Sequence, residues 1–324
     1  MPPSRIELAR LPTPLERAER LEAAWGGPAI WIKRDDLTGF GLSGNKVRKL
    51  EYHLAAAIEA GADTVITCGA VQSNHCRATA LAAARLGLGC ILYLRSPDGE
   101  PPEAVDGNHL LQRLAGAECH FITPQQYGRR NRLLAAAADR VGRAWVIPEG
   151  ASDALGMWGF ATAAEELGTQ AGEAGLSNVT LWHAASSAGT TAGLVWGAGR
   201  SGITDFHIVG CSVGEPADTV AEHVDAILAD ARDRYGGAAT LPKYEITDEY
   251  VGGGYGIASP EELAVQTEAS RLTGMLFDPT YTGKALFGLR EEIRRGTLGA
   301  DHTVVFWHTG GGFAVFAHNW TDIV

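Results

Sequence analysis

The sequence predicts an α/β fold: two three-layer α/β domains with mainly parallel sheets and a binding cleft between them. Three observations lead there. Short β-rich runs alternate with Ala/Leu-rich helical stretches. The alternation breaks at Pro148-Glu149-Gly150 and then restarts. Segments rich in glycine and small hydroxyl residues recur just after the β-rich runs. Strands separated by helices of this length form βαβ units, whose crossovers require parallel pairing. Turn chemistry at the strand ends marks loops that bind rather than core.

In chain order, Thr64-Val65-Ile66-Thr67-Cys68 reads as a strand, and 74–86 as a helix. Then come a strand at 90–94, a helix near 110–114, a strand at 120–122, a helix over 129–141 and a strand at 144–147. After the break, 156–172 is helical, and strands are expected at 179–182, 206–210 and 303–307. This divides the chain into a larger domain of residues 1–48 with 156–324, and a smaller one of residues 49–155. The 324 residues suffice for two cores of this kind.

Composition narrows the function classes. The formal net charge of −11 opposes a nucleic-acid surface or an anionic membrane. No apolar run reaches the ~18 residues of a membrane span, and the N-terminus lacks a signal-peptide pattern, so a cytoplasmic protein is expected. Five widely spaced cysteines form neither a C-x-x-C metal pair nor a disulfide framework; Cys68, Cys90 and Cys211 read as small hydrophobes of buried strands. No metal is expected. Only five lysines occur among 27 basic residues: Lys33, Lys46, Lys49, Lys243 and Lys284. If the chemistry needs an amine, the search is short.

Five segments fall at strand ends: Gly44-Asn45-Lys46, Gln72-Ser73-Asn74-His75, 186–193, 252–256 and His308-Thr309-Gly310-Gly311. In the third, Ser187, Ala188, Gly189, Thr190 and Thr191 follow a strand and open a helix. Small residues let the backbone approach an anion, and the first helical N–H groups supply donors. The loop lacks the lysine of a Walker A motif and the glycine spacing of a dinucleotide fingerprint, so it suits one phosphate monoester. Residues 39–46 resemble a P-loop only superficially, since Asn45 interrupts the Gly-Lys pair. A lysine opening a helix near its positive dipole end has a lowered amine pKa and suits imine formation with a carbonyl cofactor. In Gln72-Ser73-Asn74-His75, polar side chains and free N–H groups exceed what a helix cap needs and would hold a substrate carboxylate. For His75 a packed, hydrogen-bonded histidine is the plainer alternative.

With these residues in view, the chain resembles the aminocyclopropane-carboxylate deaminase/D-cysteine desulfhydrase family of fold-type II pyridoxal-phosphate (PLP) enzymes, whose fold is tryptophan synthase beta-like. The resemblance spans nearly the whole chain. It is carried by Leu11-Pro12-Thr13-Pro14-Leu15, Trp31-Ile32-Lys33-Arg34-Asp35-Asp36, Ser43-Gly44-Asn45-Lys46-Val47-Arg48-Lys49-Leu50-Glu51, Gln72-Ser73-Asn74-His75, Asp278-Pro279-Thr280-Tyr281-Thr282-Gly283-Lys284 and His308-Thr309-Gly310-Gly311. It implies pyridoxal 5'-phosphate as cofactor, with Lys46 carrying it as an imine, Asn74 bonding its phenolic oxygen and residues 187–191 its phosphate. Ser73 and its neighbours would hold the substrate carboxylate, with Ser73 acting on the substrate, and Tyr255 and Tyr281 would be acid/base or orienting groups. Two departures stand out: Ser186-Ser187-Ala188 replaces a glycine-flanked serine, and Ser43 stands where glycine is common.

The deaminase branch has Glu after the Tyr of the Asp-Pro-x-Tyr block and Leu before the C-terminal Gly-Gly. Here Thr282 and Thr309 take those places, similar to the desulfhydrase branch. A carboxylate beside the ring nitrogen makes the ring a stronger electron sink than a neutral hydroxyl does. The resemblance therefore implies α,β-elimination on a small β-substituted amino acid. D-cysteine desulfhydration comes first, L-cysteate sulfo-lyase activity second and aminocyclopropane-carboxylate deamination third. A non-catalytic amino-acid-binding protein of the same fold is the alternative from another class. A homodimer is also implied, with Trp158 and Trp196 as candidate interface aromatics.

Overall fold

The computed structural model describes residues 2–203, 205–237 and 240–320. Among these residues ten strands form two sheets. They are β1 (Leu15–Arg17), β2 (Ala29–Arg34), β3 (Thr64–Ala70), β4 (Gly89–Arg95), β5 (Glu118–Ile122), β6 (Ala144–Val146), β7 (Val179–Ala185), β8 (Phe206–Ser212), β9 (Tyr244–Thr247) and β10 (Thr303–His308). The larger sheet has the order β1-β2-β10-β7-β8-β9 and the smaller β5-β4-β3-β6. All pairings in the smaller sheet are parallel; in the larger one only β1 runs antiparallel, against β2.

The layers follow from the two-residue period of a strand. Along β7, Leu181 faces one apolar cluster and Trp182 the opposite one; along β10, Val305 and Trp307 alternate with Val304 and Phe306 in the same way. One face is covered by the helices Trp158–Glu173, Gly189–Arg200 and Ala217–Tyr235, the other by Glu19–Trp25, Pro260–Thr273 and Thr282–Arg295. In the smaller sheet, Val65, Leu92 and Leu94 face the helices Lys46–Glu59 and Asn74–Leu86. Ile66 and Tyr93 face the helix Arg130–Val141. Strands buried on both sides read as continuous apolar runs, which is why composition revealed them.

Several elements differ from the sequence reading. β7 continues three residues past Trp182, because His183, Ala184 and Ala185 are buried and paired with β8 although none is β-branched. β1, β2, β9 and the helices at 217–235, 260–273 and 282–295 carry mixed or charged sequence that periodicity alone did not delimit. Trp158 and Trp196 are 1 % and 0 % exposed and sit in the core of the larger layer, so they do not form an interface. Cys68, Cys90 and Cys211 are buried, as expected of small hydrophobes.

A buried ionic network pins the start of the helix Lys46–Glu59. Arg48 donates to both carboxylate oxygens of Asp35, at 2.8 and 2.9 Å, and at 3.0 Å to each oxygen of Glu166. Lys33 bonds Glu166, Gln170 and the carbonyl of Thr13. Every charge in the set has an opposite partner, which burial demands.

Candidate active site

Parallel strands place their carboxyl ends on one side, and the loops leaving those ends surround a cavity. It is lined by Asn45, Lys46, Asn74, residues 184–188, Thr190, Thr191, Tyr281 and Thr309. Lys46 is held there by the approach of two backbones. Gly44, at φ 106°, lies where an added Cβ would stand 2.9 Å from the Thr309 carbonyl, and the Asn45 N–H donates to that carbonyl at 3.0 Å. Only glycine accepts this conformation at this distance. Arg77 fixes the preceding turn by donating to the carbonyls of Gly41 and Ser43, at 2.5 and 2.6 Å.

The Lys46 amine is lowered to about 8. Its enclosure by protein is the main cause, and the negative charge of Glu149 opposes it. Sequence reasoning had assigned the shift to the helix dipole; desolvation of the ammonium is the larger effect.

Residues 187–191 form an anion cradle. Ala188 adopts the left-handed conformation at φ 65°, unusual for a residue with a side chain. This turns the chain so that the N–H groups of Ala188, Thr190 and Thr191 have no acceptor among the described residues, while Gly189 N–H closes the turn on the Ser187 carbonyl at 2.8 Å. Unpaired amides at a helix start, beside hydroxyls, are the donor set a phosphate dianion fits. The Asn45 amide bonds the Thr190 hydroxyl at 3.2 Å, tying the lysine loop to the cradle. Behind it, Ser187 and Ser152 hydroxyls meet at 2.8 Å, and the fully buried Lys49 amine donates to Ser152 at 3.0 Å. Gly150 makes room, since a Cβ there would lie 2.3 Å from the Ser187 hydroxyl oxygen. Ser152 was not among the residues chosen from sequence; Asn45 was named there only as part of the Gly44-Asn45-Lys46 segment and Lys49 only as one of five lysines, neither with a role of its own. The Lys49 spacing, one helical turn after Lys46, was the available signal.

The block at 72–75 divides its labour. Ser73 caps the helix Asn74–Leu86, accepting from the Cys76 N–H at 3.2 Å, and the N–H groups of Asn74 and His75 have no acceptor among the described residues. Asn74 lines the cavity. Its side-chain orientation is set by Asn108, whose amide nitrogen donates to the Gln72 carbonyl at 2.9 Å and to Asn74 Oδ1 at 3.0 Å. A carbonyl only accepts, so Asn108 must present its nitrogen, and Asn74 is left with its own NH₂ to donate elsewhere. Gln72 is spent on Asp106 and the Asn108 N–H, and lines an outer cleft. His75 takes the plainer role. Its Nε2 bonds Thr67 at 2.8 Å, its ring is buried, and burial drives its pKa well below the usual value. It lines neither cavity.

The hydroxyls of Tyr255 and Tyr281 share a hydrogen bond across the boundary between inner cavity and outer cleft. Burial raises Tyr255 to about 12 and holds Tyr281 well above its ordinary value, so both hydroxyls keep their protons at neutral pH and either one can donate in the bond they share. Of the two threonines singled out from sequence, Thr309 lines the cavity and its hydroxyl has no partner among the described residues. Thr282 does not line it: its hydroxyl donates to Asp278 at 2.8 Å and accepts from the Asp278 N–H at 2.7 Å. Asp278 itself is spent on the N–H groups of Thr280, Tyr281 and Thr282. The cavity wall therefore carries no carboxylate among the described residues.

Comparison with known proteins shows the family and the fold. The family described as "Pyridoxal-phosphate dependent enzyme" matches residues 6–310. A D-cysteine desulfhydrase of Salmonella paratyphi A is 39% identical over 324 residues, covering 97% of this chain and 96% of the relative. One from Yersinia pestis is 38% identical over 322 residues, with the same coverage. A crystal structure of an ACC deaminase homologue superposes with a TM-score of 0.86 at 35% identity, covering 99% of this chain and 95% of the other. An L-serine ammonia-lyase from Rhizomucor miehei, at 17% identity and a TM-score of 0.64 over 92% and 93% of the two chains, shares the fold.

Proposed function

The chain belongs to the pyridoxal-phosphate-dependent enzymes, and from that premise we propose that it is a lyase that eliminates the β-substituent of a small amino acid, D-cysteine first. The observation that carries this reading is one cavity holding both a lysine amine lowered to about 8 and a phosphate cradle of unpaired amides, with no carboxylate on its described wall. The residues fit the cofactor: Lys46 would bind it covalently, the amides of Ala188, Thr190 and Thr191 with their hydroxyls would hold its phosphate, and Asn74 would donate to its phenolic oxygen. When bound, pyridoxal phosphate supplies a sink for the electrons left at Cα after proton removal.

The remaining work falls to the chain. The N–H groups of Asn74 and His75, at a helix start, hold the substrate carboxylate, and Ser73 keeps a hydroxyl proton to donate beside them. The Lys46 amine, freed when the substrate's own amine takes its place and partly deprotonated at neutral pH, or a neighbouring hydroxyl, takes the α-proton. Tyr255 and Tyr281, protonated at neutral pH, act as donors and orient or protonate the departing group. With no carboxylate to strengthen the sink, the site suits a substrate that already carries a good leaving group, and disfavours opening a cyclopropane.

Turnover of D-cysteine, L-cysteine, L-cysteate and 1-aminocyclopropane-1-carboxylate, followed as pyruvate or 2-oxobutanoate with ammonia, tests the reading. D-cysteine should give pyruvate, sulfide and ammonia; no product from any thiol substrate would sink it. Colourless protein that stays colourless with added cofactor would favour the non-catalytic binding protein instead.

Two further readings belong here. The exposed Phe40 and Phe316, at 88 % and 70 %, flank a groove with Leu276 and Leu37, and an apolar patch of this kind suits a second copy of the chain. Five free cysteines suit a reducing cytoplasm. Among the described residues no helix is long and apolar enough to cross a membrane.

A further inference from the structure

Tyr255 stands on a loop, 252–256, whose other four residues are glycines. Its backbone closes two local turns, from the Gly254 N–H to the Val251 carbonyl and from the Ile257 N–H to the Gly254 carbonyl. Lys284 fixes the entry to the loop by donating to the Val251 carbonyl at 2.6 Å. Beyond that point the tyrosine ring itself supplies anchors. It meets Tyr281 edge-on at 5.7 Å, where the two hydroxyls bond, and the Arg95 guanidinium at 5.5 Å. Arg95 comes from across the cleft: it ends β4 in the smaller sheet, whereas Tyr255 packs on the layer of the larger one. The same guanidinium lies over the Tyr127 ring at 5.1 Å, and Arg130 lies over that ring at 5.0 Å. Arg130, Tyr127, Arg95 and Tyr255 thus alternate cation and ring. Glu149 bonds Arg130 at 2.9 Å and accepts from the Tyr127 hydroxyl, so the outer cation is neutralised and the ring facing Arg95 is enriched in electrons. Arg95 is half-buried on the cleft wall, and its side chain has no ion pair or hydrogen bond among the described residues. A cation without a carboxylate partner, stacked on two rings, fixes those rings relative to each other.

We propose that Arg95 is a positioning residue of this enzyme: stacked on Tyr255, it holds that hydroxyl at the mouth of the inner cavity, where it steadies the departing β-substituent. The proposal rests on the elimination reading above and concerns how the donor of that reading is kept in place. When the Cβ–S bond breaks, its electron pair leaves on sulfur, and a hydrogen bond from a phenol steadies that charge. Chloride, the anion of a strong acid, leaves without such help. The dependence on Arg95 should therefore follow the leaving group. Packing is not its task, because it lies outside the apolar clusters and its removal opens no core. Its charge also favours the phenolate, against the burial that raises Tyr255.

The test compares kcat for D-cysteine and for 3-chloro-D-alanine in the intact holoenzyme and in Arg95→Gln and Arg95→Lys, with the visible absorbance of the bound cofactor confirming loading. Arg95→Gln should lower kcat for D-cysteine roughly 3- to 30-fold, the worth of a cation–π contact, and leave KM and the chloride substrate within about twofold. Arg95→Lys should restore part of the loss. In a Tyr255→Phe background, where the hydroxyl is gone, Arg95→Gln should no longer separate the two substrates. An equal fall for both substrates, or a change in KM alone, would overturn the proposal. A second readout needs no turnover: chymotrypsin should cut after Tyr255 faster in loaded Arg95→Gln than in loaded wild type, with its other cleavage sites unchanged. Unchanged cutting there would also overturn it. If wild type turns over neither amino acid, the elimination reading fails by itself; faster cutting would then keep Arg95 as the anchor of Tyr255, and unchanged cutting would remove both.

Discussion

On the proposal that Lys46 binds the cofactor, its lowered amine has a measurable consequence for how the cofactor-free protein captures pyridoxal phosphate. Only an unprotonated amine attacks a carbonyl. At its ordinary value of 10.5 the amine is free in roughly one molecule in 3,000 at pH 7, whereas at about 8 it is free in roughly one in ten, a gain near 300-fold. Capture should therefore rise about ninefold from pH 6 to 7, about fivefold from 7 to 8, and less than twofold from 8 to 9. Rapid mixing of cofactor-free protein with pyridoxal phosphate, read by the absorbance of the bound cofactor, measures it. Glu149→Gln removes the charge that raises the Lys46 value and should move the midpoint down. The same shift bears on stability. The unfolded chain binds the proton more tightly, so folding is disfavoured below pH 8 and this penalty is relieved as pH rises from 8 to 10.5. A shift of that size costs about 3 kcal/mol at pH 7, and cofactor-free Lys46→Met should be more stable by up to that amount. A capture rate still rising tenfold per pH unit at pH 9, or a midpoint raised by Glu149→Gln, would refute the reasoning.

Further outcomes follow from the same geometry. Glu166 is lowered from 4.5 to about 2, chiefly by Arg48 and then Lys33 acting against its burial. Its folded value is depressed, so its contribution of about 3 kcal/mol is present above pH 4.5 and lost as pH falls toward 2. Glu166→Gln should cost about 3–5 kcal/mol at pH 7 by leaving Lys33 and Arg48 underpaired. Urea unfolding should show the gap to wild type closing as the pH approaches 2, and an unchanged midpoint at pH 7 would reject the network's role. Asn108→Ala frees the Asn74 carboxamide to rotate and should weaken cofactor retention on dialysis by roughly tenfold, one buried hydrogen bond's worth. Retention equal to wild type would show that Asn74 needs no support. Phe40→Asp with Phe316→Asp should convert a dimer to monomer in sedimentation equilibrium while the far-ultraviolet spectrum stays the same; a dimer that survives both changes places its interface elsewhere.

Sequence alone determined the parts of this protein that depend on local chemistry. Parallel sheets were legible because Val65, Ile66, Val304 and Val305 belong to apolar runs buried on both faces. Lys46 stood out because lysines are few, and the 187–191 cradle because small residues follow a strand and open a helix. What tertiary structure alone decided depends on groups far apart in the chain. Thr282 and Thr309 read alike in sequence, yet Asp278 captures one hydroxyl and leaves the other on the cavity wall. Trp158 and Trp196 could serve an interface or a core until helix packing buried both. Gln72, Ser73, Asn74 and His75 are consecutive, but successive residues at a helix start point in different directions, so one lines the cleft, one caps, one lines the cavity and one packs on Thr67. The lowered value of Lys46 belongs to this second class, since desolvation is set by every element that closes over the amine, and no local pattern encodes it.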